Sequence, residues 1–143
     1  MIFTRALTIE ELNEIFDDAP NTETRNFRKF LFDKRMSAAL FVKKYAVEYM
    51  GIVSDGRPIY VAILTRDAKG DHYIYTIVND NVKEQYSLYK ISKRIVNHWL
   101  KEYGDIYATM EKINPANMKW TERIGFKKVD EDNQTITYCL KGE

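Results

Sequence analysis

Asn114-Pro115-Ala116-Asn117-Met118-Lys119-Trp120-Thr121-Glu122-Arg123-Ile124-Gly125-Phe126 reads as one complete short helix with both ends marked. Asn114 is placed to cap the N-terminus, because its side-chain oxygen can accept from a backbone N–H two or three residues on. Pro115 takes the first helical position, where its missing N–H costs nothing. Gly125 supplies the left-handed residue after the last turn. Phe126 then starts a new apolar stretch.

Working outward, Leu88, Ile91, Ile95, Val96, Trp99, Leu100 and Tyr103 recur at three- and four-residue steps, which predicts a long helix from about Gln85 that Gly104 stops. A short strand over 106–110 separates the two helices. Beyond Gly125 the pattern predicts strands over 126–129 and 135–140, joined at Asp132-Asn133. Upstream, 49–54 and 58–65 flank Asp55-Gly56, a strong hairpin signal, and 73–78 follows a turn at Lys69-Gly70-Asp71. The change from helical to extended period falls near Val47.

Thr8-Ile9-Glu10-Glu11 is a capping box that opens a helix through about Phe16, with Ile9, Leu12, Ile15 and Phe16 on one face. Pro20 ends that region. Asn21 or Thr22 caps a second helix carrying Phe27, Phe30 and Leu31, and its continuation through Ala38, Phe41 and Val42 stays open over residues 23–46. The order is β-α-α-β-β-β-α-β-α-β-β. The helix between the fourth and fifth strands is a crossover, and crossovers join parallel strands. The expected fold is α/β (α+β): a mixed, mostly antiparallel sheet of about six or seven strands with helices on both faces.

The chain of 143 residues is read as a single domain over 1–143, with 45% hydrophobic residues to build a core. Charge is balanced at 22 basic against 21 acidic residues, which argues against a polyanionic partner. A single cysteine, Cys139, excludes an internal disulfide and suits a reducing compartment. Neither a signal-peptide pattern nor an apolar run of membrane-spanning length is visible. A cytoplasmic protein without a membrane partner is expected.

The Asn114-to-Gly125-Phe126 spacing, set in this element order, resembles the GCN5-related N-acetyltransferases. The element order matches over nearly the whole chain, while the residue-level match covers 114–126 and, more weakly, 85–104. The small acetyltransferase-like proteins of tailed bacteriophages look most similar. The resemblance implies acetyl-CoA slotted between the fourth and fifth strands, with its pantetheine arm along the backbone of Ile77, Val78 and Asn79. It implies pyrophosphate at the start of the next helix, at Gln85 to Lys90, where unpaired N–H groups and the helix dipole attract anions. Asn114 lies on the cofactor side of the cleft. The family's phosphate loop carries two glycines, and this chain has Leu88 and Lys90 at those positions. The family's general acid is a tyrosine four residues before the helix-ending glycine, and that position is Thr121. A threonine hydroxyl is a far weaker acid than a phenol. Glu111, at the end of the fifth strand, is the favoured base over Glu48 and Asp80, because strand ends border the cleft in such folds.

Other features have plainer readings. Lys83, Lys90, Lys93 and Arg94 fit a solvated helix face better than a clamp for single-stranded nucleic acid. His72 and His98 lack partners at metal-ligand spacing, so no metal site is expected. Cys139 reads as a small buried hydrophobe. Tyrosines at 49, 60, 73, 75, 107 and 138 follow strand propensity. Two functions remain. One is acyl transfer from acetyl-CoA to an amine acceptor. The other, motivated by Leu88, Lys90 and Thr121, is a phage-type acetyltransferase fold without chemistry that acts in virion assembly or binds a host protein.

Overall fold

In the computed structural model, which describes residues 2–18, 37–78, 85–112 and 115–142, eleven elements follow one another. They are β1 (Ile2–Arg5), α1 (Ile9–Asp18), α2 (Ala38–Tyr45), β2 (Ala46–Ser54), β3 (Arg57–Arg66), β4 (His72–Val78), α3 (Gln85–Tyr103), β5 (Ile106–Glu111), α4 (Pro115–Ile124), β6 (Lys127–Glu131) and β7 (Thr135–Leu140). The strands form one sheet in the order β1-β2-β3-β4-β5-β7-β6. All neighbours are antiparallel except β4 and β5, the pair joined by the α3 crossover. This is the mixed α+β sheet that the element order implies.

Local chemistry accounts for the element ends. Glu11 N donates to Thr8 Oγ1 at 3.2 Å, and Thr8 N donates to Glu11 Oε1 at 3.0 Å, which completes the capping box. Arg5 grips the same carboxylate through both nitrogens at 2.6 and 2.7 Å, holding β1 to α1. These charge-assisted bonds, Arg5 first, pull the Glu11 pKa down to about 2. Asp55 and Gly56 both take positive φ, 51° and 78°, as a two-residue hairpin turn requires. At the end of α4, Gly125 has φ 121°, its N–H donates to Glu122 O at 3.1 Å, and Phe126 N donates to Thr121 O at 3.3 Å. That crossed pair is a Schellman stop.

The structure decides one boundary that the sequence leaves open and corrects one strand end. Residues 38, 41 and 42 do not extend a helix through Ser37. Ser37 is extended (φ −78°, ψ 160°), and its Oγ accepts from Leu40 N at 3.2 Å, so α2 begins there with its own cap. The helix expected around Phe27, Phe30 and Leu31 lies outside the described residues. Phe126 is not the first residue of β6. It is buried (4% exposed) just past the Schellman turn, while all five β6 residues are exposed at the sheet edge.

The sheet separates two cores. On one face Tyr60, Ala62, Leu64, Ile74, Ile106, Ala108 and Met110 pack with Leu88, Val96 and Trp99 of α3. On the other, Val53, Val61, Ile63 and Ile77 pack with Leu12, Ile15 and Phe16 of α1 and with Phe41 and Val42 of α2. Alternation along β3 sends successive residues to opposite cores, and its eight inner residues are all buried.

Candidate functional site

The parallel contact between β4 and β5 is short. His72 pairs with Ile106 and Tyr73 with Tyr107, and the ladder stops there. Both strands continue beyond that point with their outer neighbours. β4 stays paired with β3 as far as Tyr60↔Val78, and β5 stays paired with β7 as far as Glu111↔Thr135. Among the described residues the strands therefore part in mid-sheet, and their C-terminal portions are not paired with each other. In open α/β sheets, ligands favour the crevice beyond the carboxyl ends of strands.

Two helices on one face flank this opening. α3 begins at Gln85 and is the next described element after β4. Leu88, in the first expected glycine position, is buried in the core (3% exposed), while Lys90, in the second, is exposed. α4 packs over β5 and β7: Thr121 Oγ1 donates to Met110 Sδ at 3.7 Å, and Glu122 Oε1 accepts from Tyr138 Oη at 2.9 Å. Thr121 is buried, with the Met110 thioether beside its hydroxyl. Tyr138 is no substitute acid. Burial and its bond to Glu122 push its pKa up to about 12.

Side chains also bridge the two helices. Tyr89 Oη donates to Arg123 O at 3.2 Å, and the Arg123 guanidinium lies 5.7 Å from the Tyr89 ring centre. Trp120 reaches from α4 to β3 and meets the Tyr60 ring edge-on at 5.8 Å. That contact passes β4, which lies between β3 and β5. No local pattern in the sequence announces either bridge. Tyr60 reads there as a strand former, and Trp120 as a bulky neighbour of Thr121 with no acidic proton to give.

The expected site residues fall as follows. Ile77 and Val78 lie on the diverging part of β4, with Ile77 buried toward α1. Gln85 is the first residue of α3, and Lys90 sits in its second turn. Glu111 ends β5 where it has parted from β4. Thr121 lies on α4 beside Met110. Asn79, Asp80 and Asn114 lie outside the described residues. Glu48 is held at the opposite, closed end, where its carboxylate accepts from Tyr103 Oη. Tyr103 in turn packs on His72 with ring centres 5.0 Å apart. A separate depression of about 520 Å³ lies where α2 meets β2, lined by Val42, Lys43, Ala46, Val47, Glu48 and Tyr49, away from the opening. Among the described residues no group of three His, Cys, Asp or Glu could hold a metal, and no helix is long and apolar enough to cross a membrane.

Neither a sequence family nor a curated protein matches the chain by sequence. Solved structures do match it by shape. PaiA N-acetyltransferase from Thermoplasma acidophilum, in complex with coenzyme A, is similar at TM-score 0.70 and 14% identity, with 99% of both chains covered. The ribosomal-protein-S18-alanine N-acetyltransferase of Escherichia coli is similar at TM-score 0.69 and 12% identity, over 99% of this chain and 94% of that one. The N-acetyltransferase PseH of Campylobacter jejuni is similar at TM-score 0.65 and 16% identity, over 99% of both chains. The fold is that of the GCN5-related N-acetyltransferases.

Proposed function

We propose that the chain is an acyl-CoA-dependent N-acyltransferase that uses acetyl-CoA and an amine acceptor. The observation that carries this reading is the divergence of β4 from β5 after Tyr73 and Tyr107, with both strands still paired on their outer sides. In this reading the backbone of Ile77, Val78 and Asn79 takes the pantetheine arm. Gln85 and Lys90, with the N-terminus of α3, take the pyrophosphate, and Asn114 borders the cofactor side. Leu88 fits that role because its side chain is buried in the core. PaiA, of the same fold, has been solved with coenzyme A.

Transfer is direct. The amine lone pair attacks the thioester carbonyl carbon; the C–N bond forms, the C–S bond breaks, and the thiolate leaves. Glu111 is the base that receives the amine proton. Thr121 stands at the acid position, but its hydroxyl acidity is too weak to protonate a thiolate effectively. Rate enhancement then rests mainly on alignment and exclusion of water. Calorimetric titration with acetyl-CoA tests the reading. Micromolar binding that weakens about five- to tenfold in Lys90→Glu supports it. An absence of heat at millimolar concentration contradicts it.

A second reading is favoured by the Tyr89–Arg123 and Tyr60–Trp120 bridges and by the loss of a phenol at position 121. It is an acetyltransferase fold without chemistry, of the phage type, that binds a virion or host protein. Failure of the titration together with retained folding would select it.

A further inference from the structure

Tyr60 lies on β3 opposite Val78, and none of its surface reaches solvent (0% exposed). Among the described residues, its Oη is the buried side-chain polar atom without a hydrogen-bond partner. A hydroxyl taken out of water and left unpaired is costly, and buried polar groups are normally satisfied. Ser92 of α3 is a neighbour and is equally buried, and its hydroxyl gives its proton to Tyr89 O at 3.0 Å, so it does not donate to Tyr60. The Tyr60 ring also meets the indole of Trp120, from α4, so the side chain touches both helices that flank the opening. A phenylalanine would fill the same volume without the cost.

We propose that Tyr60 Oη is the donor that holds an amide carbonyl of the acyl-CoA arm where the arm passes between α3 and α4. The inference rests on the acyltransferase reading. An amide carbonyl is a strong acceptor, and a phenol O–H is a good donor in dry surroundings. Burial raises the Tyr60 pKa above the ordinary tyrosine value. Such a phenol keeps its proton, so it acts as a binding donor and not as the missing acid for the thiolate. The polar contact for the arm is then a β3 residue that no phosphate-loop pattern would point to.

The test is Tyr60→Phe, read by thermal unfolding with and without coenzyme A and by calorimetric titration with coenzyme A. Without ligand, removing the unpaired hydroxyl should raise Tm by about 2–4 °C. With ligand, the variant should bind about tenfold more weakly and gain less Tm on saturation. Opposite signs in the two states are what a purely structural tyrosine would not produce. An unchanged or lowered Tm without ligand would mean that the hydroxyl is already paired inside the protein, and the inference fails. Affinity within twofold of wild type also overturns it. If wild type itself does not bind coenzyme A, the acyltransferase reading has failed and takes this inference with it.

Discussion

At its closed end the β4–β5 pair is pinned from several directions, while at its open end, among the described residues, no ladder pair joins the two strands. The closed end has the two ladder pairs, the Tyr73 and Tyr107 rings 5.4 Å apart, and Tyr103 lying over His72 while it donates to Glu48. Asp105, just before β5, accepts from Gly142 N at 2.7 Å and from Lys141 Nζ at 3.3 Å, which ties the start of β5 to the chain beyond β7. At the open end each strand remains laddered to its outer neighbour. The separation is therefore not fraying of a strand end. It is the parting of two intact half-sheets, β1 to β4 and β5 to β6, about a short joint. Main-chain groups in a sheet interior ordinarily pair, and beyond Tyr73 and Tyr107 the facing edges of β4 and β5 do not pair with each other.

The largest expected effect tests the joint. Ile106 is wholly buried there, so Ile106→Ala should cost about 2–5 kcal/mol by the lost burial and the cavity left behind. Urea unfolding measures it, and a cost below about 1 kcal/mol would show that the joint is looser than its packing indicates. The open end can be probed by volume. Thr121→Tyr introduces a phenol where Met110 already touches the threonine. The buried site should resist it, with a loss of about 1–3 kcal/mol from overpacking. Unchanged stability together with faster turnover would show that the space beside Met110 is open.

How much of this contrast was legible in the sequence depends on the range of the forces involved. The α4 helix, its Schellman stop, the Asp55-Gly56 hairpin and the Thr8–Glu11 box are local. Each is decided by a few adjacent residues, and each appears as read. The start of α2 at Ser37 is ambiguous in the sequence because Ser37 follows a run with helical apolar spacing, and one capping oxygen decides between continuation and restart. The splay of β4 from β5 has no local signature at all. A parallel pairing is made between residues more than thirty positions apart and ends where two half-sheets lose registry. Tyr60 was read as a strand former because its hydroxyl is isolated by contacts from β3 to α3 and α4, which no window of sequence contains. Glu48, weighed as a base, proved to belong to the closed end.

Two smaller effects sharpen the comparison. The β1–α1 clamp lies away from both ends and serves as a control. Glu11 titrates near 2 in the folded chain instead of its ordinary 4.5, so its contribution is complete above the ordinary value and fades as pH falls from about 4.5 toward 2. After allowance for the solvent around Arg5, the loss should be about 1 kcal/mol. Stability measured across that window should drop less in Glu11→Gln than in wild type. Tyr89→Ala removes an exposed bridge and should change stability by no more than about 0.5 kcal/mol. If the bridge obstructs the mouth of the opening, coenzyme A affinity in this variant rises severalfold, which titration would show. If affinity falls, Tyr89 belongs to the binding surface.

Amide hydrogen exchange along β4, with and without saturating coenzyme A, probes whether the parted strands take a ligand. Protection should rise over 74–78, where the strand diverges from β5, and change little at His72 and Tyr73, which are already paired. Equal exchange in both states over the whole of β4, with the protein folded, would contradict this and leave the parted strands without a ligand.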